Sequence, residues 1–209
     1  MNLNETSLAA INERLDGDPE ALVRWAVGLG ERAVITTSFG PYAAVLLHLV
    51  TQHAPQIPVV WMDSGYATPA TYRFVDEAQR RLNLNLRIYH PLRSRAHREA
   101  VDGAPPSLDD PRHEAFTREV KLEPFERAMR ELNPTVWFTG VRADETSLRA
   151  KMQPVSLNSD GLIKVAPVLG WSSKQMWDYL KRHDLPNNFD YADPTKVEDK
   201  RECGLHVEH

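Results

Sequence analysis

Short apolar runs rich in β-branched residues alternate with longer helix-like stretches along this chain of 209 residues. The first unit is "RAVITTS" followed by "FGPYAAVLLHLVTQH", which has the pattern of a buried strand, a tight turn and a largely apolar helix. Parallel strands are joined by crossovers of this kind, which carry helices across the faces of a sheet. The alternation predicts a three-layer α/β fold with a mainly parallel, twisted sheet and helices on both faces.

The same pattern recurs, with local signals for where the elements start and stop. Three further strands are predicted at "IPVVWMD", "LNLRIYH" and "PTVWFTG", and a β-hairpin is predicted around "NSDG". Caps at Asp18 and Thr68, each followed by a proline, predict the starts of two helices, and two more are predicted at "EPFERAMREL" and "SSKQMWDYLKRHDLP". The Pro- and Asp-rich stretch "VDGAPPSLDDPRH" is predicted to be an exposed loop.

The domain organisation follows from where this periodicity ends. Residues 1–186 show no convincing boundary and no repeat beyond the strand and helix alternation, so they are predicted to form a single α/β domain. Residues 187–209 are charged and have no periodicity, so they are predicted to form a flexible C-terminal tail.

Composition argues against several classes of protein. The net charge of -4 gives no support to nucleic-acid binding by bulk electrostatics. No run of about 18 apolar residues occurs, and the first residues lack the basic and apolar regions of a signal peptide, so we expect no membrane segment and a cytoplasmic protein. One cysteine cannot form an internal disulfide or supply a four-cysteine zinc or iron–sulfur site.

That cysteine, Cys203, lies in the charged sequence "KRECGLH". Lys200, Arg201 and His206 are its close neighbours, and nearby cations lower the pKa of a thiol and enrich the reactive thiolate. A lone cysteine is most often a small apolar core residue, but this stretch is too charged for a buried strand. We therefore interpret Cys203 as a candidate nucleophile.

Two polar turns follow the first two predicted strands. "TTSFGP" offers hydroxyls, including those of Thr37 and Ser38, and Gly40 lets the backbone approach a phosphate closely. "MDSGY" puts Asp63 where its carboxylate can accept hydrogen bonds from a ribose or an amide. Ordinary short turns are the alternative for either stretch alone. Together, at the carboxyl ends of two neighbouring strands, they predict a nucleotide-binding domain.

These stretches also carry a family resemblance. Through "TTSFGPYAAVLLHLV", "MDSGYATPATYRFVDE", "KLEP", "WFTGVRADETSLRA", "IKVAPVLGW" and "KRECGLH", the chain resembles the sulfonucleotide reductases, most closely those that act on 3'-phosphoadenylyl sulfate. The resemblance implies the adenosine nucleotide α-hydrolase-like fold, a parallel sheet flanked by helices. It also implies thioredoxin-dependent release of sulfite from an activated sulfate, as in assimilatory sulfate reduction.

The resemblance implies a role for each matching residue. Cys203 becomes the nucleophile, and the modified phosphate loop is formed by Ser38, Phe39 and Gly40, with Thr37 as a further substrate-binding residue. The residues implied beside the nucleoside are Asp63, Ser64 and Gly65. The residues implied to face the phosphate and sulfate groups are Lys121, Arg142, Arg149, Arg201 and His206. Two further residues, Gly140 and Lys200, are implied to bind the substrate.

Cofactors and partners follow from the same resemblance. Reductases of the substrate without the 3'-phosphate generally carry cysteine pairs for an iron–sulfur cluster, and this chain has none, which favours the 3'-phosphorylated substrate and no cluster or metal. The second thiol must come from reduced thioredoxin or glutaredoxin. A homodimer is common in the family. The segment before "ECGLH" is short and lacks the Gly-Tyr and Arg-Trp stretches expected there, so the resemblance implies no phosphate contact from that segment.

Other interpretations stay open for individual residues and for the whole chain. Lys121 could lie on an exposed helix face, His206 could be a solvated tail residue, and Arg142 and Arg149 could form an internal salt-bridged loop. An adenylyl sulfate reductase without a cluster is one alternative function. An ATP pyrophosphatase is another, although "TSFGPYA" lacks that class's second glycine and acidic residue. A non-catalytic nucleotide-binding regulator is the third.

Overall fold

The computed structural model describes residues 4–196, and of Glu5 only the backbone. Eight α-helices lie in this part of the chain: α1 (Glu5–Arg14), α2 (Pro19–Gly28), α3 (Ala43–Thr51), α4 (Pro69–Leu82), α5 (Arg95–Asp102), α6 (His113–Thr117), α7 (Glu123–Leu132) and α8 (Ser173–Arg182). The described strands are β1 (Ala33–Thr37), β2 (Pro58–Met62), β3 (Asn85–Tyr89), β4 (Val136–Phe138), β5 (Val155–Leu157) and β6 (Ile163–Val165). A π-helical turn (Arg118–Leu122) precedes α7, and a 3₁₀ turn (Arg149–Lys151) precedes β5.

The six strands form one sheet in the order β3-β2-β1-β4-β6-β5. All neighbouring pairs are parallel except the β5–β6 hairpin, which is antiparallel. The predicted α/β fold with a mainly parallel sheet is therefore confirmed. The chain leaves β1 toward β2 on one side and returns to β4 on the other, and ligands of open α/β sheets bind at such a switch point.

Helices cover both faces of this sheet because successive residues of the central strands are apolar and point to opposite faces. Ile35 and Val59 belong to the larger core, which α2, α3 and α8 complete. Val34 and Val60 face the other way and pack against α7 together with Trp137. A sheet that is buried on both sides requires apolar side chains on both of its faces.

Local structure departs from the sequence predictions at short polar elements. Helix α1 was not predicted, and it starts at a capping box in which Asn4 and Ser7 bond each other's backbone N–H. Helices α5 and α6 flank the predicted loop, and the buried residue of α5 is the polar Arg98, so no buried apolar residue marks this helix. Within residues 4–196, no helix is both long and apolar enough to cross a membrane.

Residues 187–196 continue from α8 and lie against the sheet's carboxyl edge; we call them the α8 extension. Its buried residues include Asn188 and Thr195. They contact Phe39 and Lys121 respectively. The remainder of the predicted tail, residues 197–209, is outside the described part of the chain.

Candidate active site

A cavity of about 240 Å³ opens at the carboxyl ends of β1, β2 and β4. Its walls come from the turns that follow these strands, from the π-helical turn and from the α8 extension. These turns lie where the switch point of the sheet places them, so side chains far apart in sequence meet at one edge.

The first wall is the phosphate loop, residues 38–42, between β1 and α3. Phe39 and Tyr42 adopt left-handed conformations, with φ of 53° and 62°. The Phe39 side chain is fully buried and packs edge-on against Trp61 and Phe74, at centroid distances of 5.5 and 6.1 Å. Phe39 therefore offers only its backbone to a ligand, and its ring anchors the loop.

Helix α3 begins directly after this loop. Its N-cap residue, Tyr42, makes no side-chain cap bond, and its first turn contains no acidic residue. Thr37 Oγ1 accepts a hydrogen bond from Phe39 N–H at 3.1 Å, and Ser38 is exposed at the cavity. A glycine-containing loop that leads into a helix N-terminus is suited to an anion, because backbone N–H groups and the helix dipole favour negative charge.

The second wall is the turn after β2. Asp63 is 6% exposed, and its Oδ1 accepts hydrogen bonds from Gly65 N–H and Tyr72 Oη, each at 2.9 Å. Burial and this bond raise the pKa of Tyr72 to about 12, so the phenol stays a donor to Asp63. Asp63 Oδ2 lies 3.6 Å from Nδ1 of the exposed His90. The two hydrogen bonds to Oδ1 thus fix the carboxylate in place, whereas the contact of Oδ2 with His90 is longer than a hydrogen bond.

Lys121 enters the cavity from the π-helical turn. Such turns shift the helical register by one residue and often occur at functional sites. Two residues earlier, Glu119 receives hydrogen bonds from Arg93 at 2.7 Å and from Arg98 at 3.2 Å. The Arg93 bonds, followed by those from Arg98, lower the pKa of Glu119 to about 2. The turn that carries Lys121 is therefore held by a charged cluster outside the cavity.

Lys121 itself is 9% exposed, so it is not on an exposed helix face. Its Nζ forms an ion pair with Asp193 and lies 3.1 Å from Thr195 Oγ1. Burial would raise the pKa of the Asp193 carboxyl, but the Lys121 charge and the hydrogen bonds from Lys121 and Thr195 hold that pKa below its usual value. The α8 extension thus brings a carboxylate to the Lys121 cation.

The third wall is the arginine loop, residues 142–151, which follows β4. Arg142 Nη1 donates to Ser173 Oγ at 3.0 Å and to Asp144 at 3.3 Å, and Arg142 Nε lies 3.6 Å from Glu145. Glu145 also pairs with the buried Arg149. The internal salt bridges considered from the sequence are therefore present, and the two guanidinium groups also line the cavity.

The comparison with known proteins decides the family. The family model for the phosphoadenosine phosphosulfate reductase domain matches residues 32–191. The chain belongs to this family. It is 38% identical to the phosphoadenosine 5'-phosphosulfate reductase of Synechococcus sp., over 96% of this chain and 97% of that protein. It is 37% identical to the enzyme of the same name from Thiocapsa roseopersicina, over 97% of this chain and 95% of that protein.

A solved structure of the reductase family shares the fold. The crystal structure of phosphoadenylyl-sulfate (PAPS) reductase from Candida auris, a phosphate complex, matches with a TM-score of 0.77 at 24% identity. The match covers 90% of this chain and 91% of that one. It confirms the α/β architecture that the alternation of strands and helices predicted.

Most of the site residues that the reductase resemblance implies meet at the cavity. Its lining includes Thr37, Ser38, Gly40, Asp63, Ser64, Lys121, Gly140, Arg142 and Arg149. Phe39 is in the core instead. Gly65, with φ of 83°, forms the turn beside Arg95 without lining the cavity. Lys200, Arg201, Cys203 and His206 lie outside the described residues.

Sequence reasoning missed the contribution of the α8 extension to this site. The cavity lining includes Tyr191, Asp193 and Thr195. The phosphate loop is also hydrogen-bonded by Asn187 and Asn188, which do not line the cavity. The segment has no periodicity and was assigned to the tail. The one signal in it was the pair of asparagines just after a helix, since asparagine side chains commonly bond nearby backbone groups in irregular segments.

Proposed function

We propose that this protein reduces phosphoadenosine phosphosulfate to sulfite and adenosine 3',5'-bisphosphate by way of a Cys203 S-sulfonate. The observation that carries the proposal is the family match over residues 32–191, with 38% identity to a named reductase across nearly the whole of both chains. The cavity supports it, because Lys121, Arg142 and Arg149 border an anion-suited loop and a fixed carboxylate.

In the first step the Cys203 thiolate attacks the sulfate sulfur. A bond forms between the two sulfur atoms, and the sulfur–oxygen bond to the phosphate breaks, so adenosine 3',5'-bisphosphate leaves with the electron pair. Both reactants are anionic, and cations that hold the substrate also offset their repulsion. We propose that the cations around the thiolate are Lys200, Arg201 and His206. The cations around the phosphate and sulfate groups are then Lys121, Arg142 and Arg149.

In the second step an external thiolate attacks the Cys203 sulfur. The new disulfide expels sulfite with the bonding electron pair, and a second thiol of the donor then releases Cys203 as a thiol. The donor supplies two electrons and becomes a disulfide. We propose reduced thioredoxin, or glutaredoxin, as this donor, because the chain contains no second cysteine.

Chain connectivity limits how far the nucleophile can be from the cavity. Lys196 is part of the cavity lining, and Cys203 follows it by seven residues. Even a fully extended chain of that length spans at most about 25 Å. The reach of the tail is therefore compatible with attack by Cys203 on a substrate in the cavity.

The wider setting is also proposed. Residues 1–186 act as the nucleotide-binding domain and 187–209 as the tail that carries the nucleophile. No iron–sulfur cluster or metal is required, since one cysteine cannot ligate a four-cysteine cluster. The protein works in the cytoplasm and forms a homodimer, as is common in the family; light scattering of the purified protein tests the dimer.

Sulfite production tests the reaction. Purified protein with reduced thioredoxin should release sulfite from the 3'-phosphorylated substrate, and less from adenylyl sulfate. Cys203→Ser should abolish turnover but still bind adenosine 3',5'-bisphosphate. Without thioredoxin, mass spectrometry should find one sulfonate on Cys203. If neither sulfonucleotide yields sulfite while Cys203 is reduced, the proposed function is wrong.

A further inference from the structure

Two consecutive asparagines of the α8 extension bond the phosphate loop. Asn187 Oδ1 accepts a hydrogen bond from Tyr42 N–H at 2.7 Å. Asn188 Nδ2 donates to the Phe39 carbonyl oxygen at 2.9 Å, and also to Thr71 Oγ1 at 2.9 Å. We propose that Asn187 and Asn188 are positioning residues that fix the phosphate loop for nucleotide binding. This inference rests on the role proposed for that loop.

The two bonds act at the two residues of the loop whose backbone is least favourable. Phe39 and Tyr42 have φ of 53° and 62°, in the left-handed region that is unfavourable for a residue with a Cβ. Such conformations persist where the surroundings impose them. The asparagine side chains therefore meet the loop where it most needs support from outside.

The bond from Asn188 also sets the direction of a donor. The Phe39 carbonyl and the Gly40 N–H belong to one planar trans peptide, so they point in opposite directions. Gly40 lines the cavity and Asn188 does not. By holding the carbonyl on its own side, Asn188 turns the Gly40 N–H toward the side where an anion would bind.

Two aromatic side chains of the α8 extension also pack against the phosphate loop. The Phe189 ring packs edge-on against the Tyr42 ring, at a centroid distance of 5.9 Å. A Cβ added to Gly40 would lie 3.2 Å from the Tyr191 ring, so that ring sits directly on the glycine. The α8 extension thus holds the loop by two polar and two aromatic contacts.

A general loss of stability is the competing explanation for any effect of these asparagines. Asn12 offers a matched control, because its side chain, like that of Asn188, makes two hydrogen bonds to residues distant in sequence. Its Nδ2 donates to Val155 O and its Oδ1 accepts from Val155 N–H, both at 2.9 Å. Neither residue lines the cavity.

Calorimetric titration with adenosine 3',5'-bisphosphate tests the proposal, at a temperature where circular dichroism shows each variant folded. Asn188→Ala should raise the dissociation constant about tenfold, because the loop loses its bond to the Phe39 carbonyl. Asn12→Ala should lower the melting temperature comparably but change the dissociation constant by less than about twofold. Equal binding by wild type and Asn188→Ala overturns the inference, whereas a wild type that binds no nucleotide overturns the proposed function.

Hydrogen exchange gives a second measurement that does not need ligand or the Asn188 variant. The Tyr42 amide should exchange at least about tenfold faster in Asn187→Leu, which removes the acceptor but keeps the number and branching of the side-chain heavy atoms. In Asn187→Asp the acceptor oxygen remains, so protection of this amide should persist. An unchanged Tyr42 exchange rate in Asn187→Leu contradicts the positioning role.

Discussion

The phosphate loop and the arginine loop border the same cavity but offer an anion different chemistry. The phosphate loop presents backbone groups, and residues remote in sequence, Asn187 and Asn188, hold it. The arginine loop presents side-chain cations, and its own acids, Asp144 and Glu145, hold them. Contacts from a distant segment hold the first region, whereas carboxylates of the same loop already pair with the cations of the second.

This difference predicts how each region responds to change. Shape should matter most in the phosphate loop, because a backbone donor has no charge to act at a distance. Charge should matter most in the arginine loop, where acids and cations are balanced. Three experiments, from the largest expected effect to the smallest, test that division, and a fourth with a smaller effect tests the helices that pack next to the phosphate loop.

Removing a cation of the arginine loop should have the largest effect. Arg142→Met should raise the KM for phosphoadenosine phosphosulfate about a hundredfold, because charge-assisted hydrogen bonds to the substrate are lost. Steady-state sulfite release measures it. Arg24→Met, which removes a partly exposed ion pair with Glu20 on α2, is the control and should leave KM unchanged. A change below threefold in Arg142→Met places the anion contacts elsewhere.

A change of shape in the phosphate loop should come next. In Gly40→Ala the new Cβ meets the Tyr191 ring at 3.2–3.3 Å, so the ring or the loop must shift. We expect binding of adenosine 3',5'-bisphosphate to weaken about tenfold, the effect of misplacing one or two hydrogen bonds. Gly28→Ala has nothing within 4 Å of its Cβ and serves as the control. Binding unaffected by Gly40→Ala contradicts the importance of loop shape.

Removing a resident acid should strengthen binding at the arginine loop. Glu145 pairs with both Arg142 and Arg149, so Glu145→Gln removes a competitor for the substrate anion. We expect the dissociation constant of adenosine 3',5'-bisphosphate to fall about threefold at low ionic strength and less at high salt. Calorimetry at two salt concentrations measures this effect, with Glu20→Gln as the distant control. Weaker binding means that Glu145 chiefly orients the arginines.

The smallest effect concerns pH and the helices behind the phosphate loop. His48 Nδ1 of α3 lies 2.8 Å from Tyr179 Oη, and the His48 ring is 4.8 Å from that of His183, the residue that caps the end of α8. Burial, then the His183 charge, lowers the pKa of His48 below 6.5. The folded state therefore binds fewer protons than the unfolded state just below pH 6.5, and stability falls as pH falls through that window.

The melting temperature measured between pH 7.5 and about 5 tests this dependence. His48→Gln should flatten the decline by a few degrees. The exposed His97→Gln should leave it unchanged. A decline that is equally steep in His48→Gln rules out His48 as its source.

The sequence predicted those parts of the fold that repeat a local pattern. β1 to β3 and α4 were predicted because strand runs, a cap and a first-turn proline all agree there. The π-helical turn was not predicted, because its register shift breaks the helical period from which the direction of the Lys121 side chain would be deduced. The α8 extension was missed for another reason. Its position depends on bonds such as Asn188 to Phe39, 149 residues apart, and no local pattern encodes them.

Some residues of the candidate site could likewise be predicted from local sequence patterns, and others could not. Residues in the turns after strands were found because parallel strands bring such turns together. That the Phe39 side chain would lie in the core and not line the cavity could not be deduced, because a left-handed φ decides the direction of that side chain. Asp193 was not found either, since its partner Lys121 is 72 positions away.

The contact between Asn188 and Phe39 also bears on how the protein is made. Synthesis proceeds from the N-terminus, so the phosphate loop emerges from the ribosome long before the asparagines that hold it. Contacts of such large sequence separation form late in folding. A nascent chain can therefore form its first strands early, but its phosphate loop gains the contact from Asn188 only after that residue has been translated.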